Sequence, residues 1–321
     1  MKRVLIAGGA GFIGTHLVRT LLMEGARVTV VDNHYTSDPR NVLPFMAHEN
    51  YEFHQRDVRY PLLDLGTFDW IFNLACPASP VHYQRDPVMT INTNVLGAIN
   101  ILELSRQCGA RVFQASTSEV YGDPLVHPQP ESYFGNVNTL GPRACYDEGK
   151  RCAETIFREY SMQHGVDVRV ARIFNTYGPI MHPNDGRVVS NFVIQALAGK
   201  TITIHGSGHQ TRSFCYVTDL VAAILMLMNY SGASFEPYNL GNPNEISINE
   251  LANQICDLTG AKVMRLHSEK PQDDPMRRMP VIDKAERDFG WRPSTPLVKG
   301  LTETIRYFAK LNDISLARLV A

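Results

Sequence analysis

The sequence predicts an α/β protein: a doubly wound parallel sheet with a smaller C-terminal α/β region packed on its end. Three observations carry this. Short apolar runs alternate with longer stretches of helical periodicity through the first half of the chain. A glycine cluster stands where the first apolar run hands over to the first helical stretch. Beyond about residue 175 the punctuation changes, with Gly178-Pro179, Pro183, Gly186, Gly206, Gly208, Pro237, Gly241 and Pro243 breaking the chain into shorter pieces.

In order, Val4 to Gly8 is a short strand ended by glycine. Phe12, Ile13, Leu17, Val18, Leu21 and Leu22 then fall at helical spacing and close near Gly25. Ala26 to Asp32 is a second strand and Tyr51 to Asp57 a weaker third. Asp69 to Ala75 is nearly all apolar, as a strand buried on both faces should be. Pro87 to Gln107 is a long helix with Ile91, Val95, Ile99 and Leu102 on one face. Arg111 to Thr117 is the fifth strand, Ala144 to His164 a second long helix, and Val166 to Ile173 the sixth strand. Helices follow near Val189 to Leu197, Asp219 to Asn229, Ile248 to Thr259 and Pro296 to Leu311, with short strand-like pieces between. Tyr238 to Leu240 is a candidate to return to the first sheet, so the division into residues 1–175 and 176–321 is soft.

Composition narrows the function. The 31 Lys+Arg against 32 Asp+Glu leave a net charge of −1, which excludes a nucleic-acid binder whose affinity comes from neutralising phosphates. With 44% hydrophobic and 20% charged residues the chain is of globular and not disordered composition. No apolar run approaches the roughly 18 residues of a membrane span. Lys2 and Arg3 precede an apolar stretch, but it is short, broken by glycines and lacks a cleavage site, so no signal peptide is read there and a cytoplasmic location is expected. The six cysteines form no C-x-x-C pair and the eleven histidines no H-E-x-x-H, so reduced thiols and no metal are expected.

Gly8-Gly-Ala-Gly11-Phe12-Ile13-Gly14 has the spacing G-x-x-G-x-x-G between a strand and a helix. Such glycines permit a tight turn and close approach of a pyrophosphate to the helix N-terminus, the Rossmann-type arrangement. Asp32 ends the second strand 18 residues beyond Gly14, with Asn33 next to it. A carboxylate there accepts from ribose hydroxyls and repels an added phosphate, and no Arg or Lys follows until Arg40, so NAD is favoured over NADP. Asp57 and Val58 follow the third strand, at the expected adenine edge. Leu74, Ala75 and Pro77 follow the fourth.

Tyr146 and Lys150 share one face of the second long helix at i and i+4. A lysine ammonium beside a phenol is expected to lower the tyrosine pKa toward a range useful for proton abstraction. This pair follows the fifth strand and its Ser116-Thr117-Ser118-Glu119 end. With the glycine fingerprint, the Thr117 to Gly122 segment TSEVYG and Tyr146 with Lys150, the sequence resembles the extended short-chain dehydrogenases/reductases that act on nucleotide sugars. Longer strings resemble the UDP-glucuronate decarboxylases (UDP-xylose synthases) of that family: Leu74 to Pro87, Ser116 to Pro124, Asn136 to Thr155, Ala171 to Pro179, Met181 to Phe192, His205 to Phe214 and Gln272 to Pro280. The chain departs from that pattern at Phe134, Thr139 and Ile180, where the family usually has Trp, Pro and often Arg.

The resemblance implies that Tyr146 removes the proton of the sugar's 4-hydroxyl, assisted by Lys150 and Thr117, while NAD accepts hydride. Carbon dioxide then leaves the 4-keto sugar, and the hydride returns to yield UDP-xylose. Ser118-Glu119 matches the decarboxylases, whereas 4,6-dehydratases of the family usually carry Asp-Glu there. The resemblance further implies Arg212 and Asn175 at the diphosphate, Arg187 near the uridine, Tyr83 near the sugar carboxylate, and Arg278 at the reacting sugar or the diphosphate. It also implies a homodimer, through the two long helices. The alternatives are a UDP-glucuronate 4-epimerase and a non-catalytic dinucleotide-sensing protein; the latter is disfavoured by the intact Tyr146 and Lys150.

Overall fold

A computed structural model describes residues 1–232, 235–261, 265–268, 276–312 and 314. The first four residues of the Gln272 to Pro280 string lie outside the described residues. The chain runs β1 (Arg3–Ala7), α1 (Phe12–Met23), β2 (Arg27–Asp32), β3 (Tyr51–Gln55), β4 (Trp70–Asn73), α2 (Pro80–Tyr83), α3 (Pro87–Cys108), β5 (Arg111–Thr117), α4 (Ala144–His164) and β6 (Val168–Ile173). It continues through β7 (Thr176–Tyr177), α5 (Val188–Leu197), β8 (Ile202–His205), β9 (Thr211–Ser213), β10 (Cys215–Tyr216), α6 (Val217–Asn229), β11 (Pro237–Leu240), β12 (Glu245–Ser247), α7 (Ile248–Thr259), β13 (Arg265–Ser268), α8 (Asp283–Phe289) and α9 (Leu297–Leu311).

Seven strands form one parallel sheet in the order β11-β6-β5-β4-β1-β2-β3. The order reverses between β1 and β4, which opens a crevice at the carboxyl ends of the strands, where ligands of such sheets bind. β11 does return to the first sheet: Tyr238 pairs with Ala171 and Leu240 with Ile173. All four residues of β4 are buried, matching its unbroken apolar character.

Helices cover both faces. Leu17, Leu21, Leu220 and Ile224 of α1 and α6 bury against Val4, Ile6, Val28 and Phe72. Ile101, Leu102, Ala153 and Phe157 of α3 and α4 bury against Leu5, Ile71, Val112 and Val168 on the other face. A third apolar cluster joins α5, α7 and α9 through Phe192, Val193, Leu251, Ile255, Ile305 and Phe308. Local sequence sets the helix ends that matter for the site. Asp86 caps α3 by accepting from the Met89 amide at 2.9 Å, and Gly109 ends it in the left-handed conformation. Strand ends differ from the sequence reading by a residue or two: Asp69, Leu74, Ala75, Val166 and Asp167 lie outside the named strands, although the Asp69 and Leu74 amides still donate to the Arg3 and Ala7 carbonyls at 2.8 and 2.9 Å.

Candidate active site

A cleft of about 620 Å³ runs across the carboxyl ends of the strands, between the large sheet and the α5, α7 and α9 region. Gly8, Gly11, Phe12, Ile13 and Gly14 border one end. Gly8 is left-handed, φ +80°, and an added Cβ would lie 2.8 Å from the backbone of Leu74 and Ala75. A Cβ on Gly14 would meet the Gly8 carbonyl at 2.3 Å, whereas one on Gly11 would meet only that carbonyl, at 3.2 Å. Gly8 and Gly14 are thus required by the turn itself. α1 begins without a side-chain cap and without an acid in its first turn. Its N-terminal amides and positive dipole end are therefore available to an anion, and the turn fits a dinucleotide pyrophosphate.

Asp32 stands at the end of β2 but faces its own chain. Its carboxylate accepts from the Ala10 amide at 3.1 Å, the His34 amide at 2.9 Å and the Ser37 hydroxyl at 3.0 Å. It does not border the cleft, and neither do Asn33, Asp57, Val58, Ala75 or Pro77; Leu74 does. Asn33 donates to Asp57 at 3.0 Å, and Asp57 also pairs with Arg59 at 2.7 Å. The Val58 carbonyl accepts from the Asn100 side-chain amide of α3 at 2.9 Å. These residues shape the rim around the second and third strands.

Tyr146 and Lys150 come from the first two turns of α4 and face the end of β5. Both are buried. The expected lowering of the tyrosine pKa is not what the geometry gives. Lys150 Nζ lies 5.9 Å from the Tyr146 ring centroid and donates to the Ala115 carbonyl at 2.9 Å. Burial, then the nearby Cys76, push the Tyr146 phenol up, while the Thr117 hydroxyl, hydrogen-bonded to it, acts the other way. Burial also lowers the Lys150 pKa. Tyr83 stacks on Tyr146, with ring centroids 5.0 Å apart and planes within 5°, and its buried hydroxyl has no hydrogen-bond partner.

Ser118 and Glu119 occupy a single tight helical turn, Ser118–Tyr121, held by Thr117 accepting from the Glu119 amide at 3.2 Å. Glu119 receives Arg278 on one carboxylate oxygen and Arg143 on the other. Burial opposes its charge, but the two guanidiniums hold its carboxyl well below the usual range. Arg278 is not a surface residue: it is 3% exposed, and it also donates to the Gly122 carbonyl at 3.1 Å while its Nε stays buried and unpartnered.

Asn175, Arg187 and Arg212 border the same cleft. Arg187 precedes α5, pairs with Asp185 at 3.3 Å and donates to the Ala78 carbonyl at 3.1 Å. Arg212 on β9 is buried and donates to the Thr211 carbonyl at 2.7 Å. The structure therefore brings together Thr117, Ser118, Glu119, Tyr146, Lys150 and Arg278 with Tyr83. Sequence reasoning missed Arg143, Cys76 and Asp147. Arg143 lies three residues before Tyr146, one helical turn away on the same face, and that spacing is the signal that marks it.

The sheet order, the glycine turn and the Tyr146–Lys150 pair at the end of β5 define an extended short-chain dehydrogenase/reductase. Residues 5–304 match the family described as GDP-mannose 4,6 dehydratase. The chain is 54% identical over 309 residues to UDP-glucuronic acid decarboxylase 1 of Xenopus tropicalis, covering 96% of this chain and 72% of that one. It is 51% identical to UDP-glucuronic acid decarboxylase 3 of Arabidopsis thaliana, covering 93% and 86%. Among solved structures it resembles a UDP-glucose 4-epimerase of Thermotoga maritima with UDP-glucose, at TM-score 0.89 and 28% identity over 97% and 99% of the two chains. It likewise resembles a dTDP-glucose 4,6-dehydratase of Streptomyces venezuelae with NAD bound, at TM-score 0.88 and 29% identity over 97% and 98%. The chain belongs to this family and, within it, to the UDP-glucuronic acid decarboxylases.

Proposed function

We propose that the protein converts UDP-glucuronate and one proton to UDP-xylose and carbon dioxide, with NAD recycled inside the site. The observation that carries this is the buried Arg143–Glu119–Arg278 cluster beside Tyr146, supported by the decarboxylase names of the relatives. Two guanidiniums can fork onto the sugar carboxylate or the diphosphate, and their burial strengthens any such contact.

The α1 N-terminus and the glycine turn would hold the dinucleotide pyrophosphate, and Asp32, Asn33, Asp57 and Val58 would shape the adenosine end. NAD, when bound, supplies a hydride acceptor and donor. Tyr146 would hold and move the proton of the sugar's 4-hydroxyl, with Thr117 bonding to the same phenol and Lys150 held by Ala115. Arg278 and Glu119 would govern the fate of the ketone: a fixed positive charge stabilises the enolate that forms as carbon dioxide departs. Ser118 is a poor acid and would not expel a hydroxyl, which separates this site from a dehydratase. Tyr83 closes the site over Tyr146, while Asn175, Arg187 and Arg212 would face the UDP portion.

A homodimer through α3 and α4 is part of the same reading. Val88, Ile91 and Leu96 on α3 and Met162 on α4 are exposed apolar side chains on those two helices. A cytoplasmic placement accords with none of the six cysteines standing in a disulfide. Among the described residues no helix is long and apolar enough to cross a membrane. The direct test supplies UDP-glucuronate labelled at the carboxyl carbon to the purified protein with NAD. Labelled carbon dioxide supports the reading; retention of the label in UDP-galacturonate shows a 4-epimerase instead.

A further inference from the structure

Around Glu119 the fold gathers two cations, Arg143 and Arg278, and two acids, Glu119 and Asp147, of which Arg278 and Asp147 are buried and the other two are mostly covered. Glu119 spends both oxygens on the guanidiniums. Asp147 is far less well served. Its Oδ2 lies 4.0 Å from Arg143 Nε, and its Oδ1 is buried without a hydrogen-bond partner. The side chain is only 7% exposed. Asp147 sits in the first turn of α4 and does not border the cleft, so it can reach a substrate only through Arg143. The other titratable groups facing it are Glu148 on its own helix, the adjacent Cys145, and Tyr83 of α2.

The four charges balance. A substrate carboxylate docking on the two guanidiniums adds a third negative charge to the same buried volume, where an uncompensated charge is expensive. Of the two acids present, Glu119 is locked by two cations, and Asp147 is the one that can give up its charge.

We propose that Asp147 is a positioning residue that takes up one proton from solvent as the carboxylate of UDP-glucuronate docks, leaving the Arg143 guanidinium to be shared between Glu119 and the substrate. The proton bonds to a carboxylate oxygen of Asp147, which becomes neutral; no other bond changes. This rests on UDP-glucuronate being the substrate. Burial and the neighbouring Glu119 charge push the Asp147 carboxyl up to about 7. At pH 8 it therefore begins ionised, and the uptake is measurable.

The test is calorimetric titration at pH 8 in two buffers of different ionisation enthalpy. The Tyr146→Phe protein with NAD is used, so that turnover consumes no protons. Binding of UDP-glucuronate should take up about one proton per site, and binding of UDP-xylose, which lacks the carboxylate, about none. Adding Asp147→Asn, which mimics the neutral acid, should abolish the uptake. It should also tighten UDP-glucuronate binding about tenfold at pH 8, and leave it little changed at pH 6. A merely structural aspartate would give no proton uptake for Asn to abolish, and the effect of Asn on binding would be the same at pH 8 and pH 6. Should the Asn variant fail to fold, kcat/KM of the native protein for UDP-glucuronate should fall above about pH 7; a flat profile overturns the proposal. UDP-glucuronate binding without proton uptake, or uptake that survives Asp147→Asn, overturns it while leaving the substrate reading intact. No binding of UDP-glucuronate overturns both.

Discussion

The two ends of the cleft are built on different terms. At the adenosine end Asp32 has its oxygens taken by Ala10, His34 and Ser37, and Asn33, Asp57 and Arg59 bond to one another. At the reacting end Tyr83 Oη, Asp147 Oδ1 and Arg278 Nε are buried with no hydrogen-bond partner. Polar groups left unsatisfied in a dry interior cost stability. On β3, near Asp32, Tyr51 Oη is likewise buried without a partner, so the contrast is one of degree: three such atoms gather where the substrate's charge changes, against one beside Asp32.

Breaking the reacting end should have the larger effects. Tyr146→Phe removes the phenolic oxygen but keeps the stacking on Tyr83, so kcat should fall by roughly 10³-fold while NAD binding and the melting temperature hold. Steady-state assay and a thermal melt check both; native-like turnover would mean that another group moves the proton. Next in size, Arg278→Ala leaves Glu119 with Arg143 alone, and kcat at saturating UDP-glucuronate should fall by roughly 10²-fold. If only KM rises, Arg278 clamps the substrate and takes no part in the chemistry. Glu119→Gln should show the same loss, and a fully active variant would reduce Glu119 to a structural partner.

The adenosine end should respond more mildly and in stability as much as in activity. Gly14→Ala forces a Cβ to 2.3 Å from the Gly8 carbonyl, so it should destabilise by about 2 kcal/mol in a denaturant titration. Gly11→Ala, with its nearest atom at 3.2 Å, should keep most of that stability and lose NAD affinity instead. Asp32→Asn should weaken NAD about tenfold by fluorescence titration and narrow the preference over NADP. Equal effects at both ends of the cleft would erase the contrast.

What the sequence made legible follows from range. Tyr146 and Lys150 are four residues apart on one helix, so periodicity alone pairs them, and the glycine turn announces itself between strand and helix. The Glu119–Arg278 contact spans 159 residues, beyond anything spacing can show, and only the resemblance brought the two together. Asp147 drew no reading from the sequence; it is buried where α4 packs its first turn against the Glu119 turn. The effect of Lys150 on Tyr146 was misjudged because i, i+4 spacing gives proximity and not direction: the ammonium is captured by the Ala115 carbonyl. The return of β11 was visible as a short apolar piece, yet its partner strand was not.

The most direct test of the whole reading is NMR of the reaction run in deuterated water with UDP-glucuronate and catalytic NAD. Loss of the carboxyl group from a 4-ketone leaves an enolate that must take its hydrogen from solvent. The expected product is UDP-xylose carrying one deuterium at carbon 5, with many turnovers per NAD and no accumulation of NADH. UDP-galacturonate with its carboxyl group intact, or NADH formed in step with product, would contradict it.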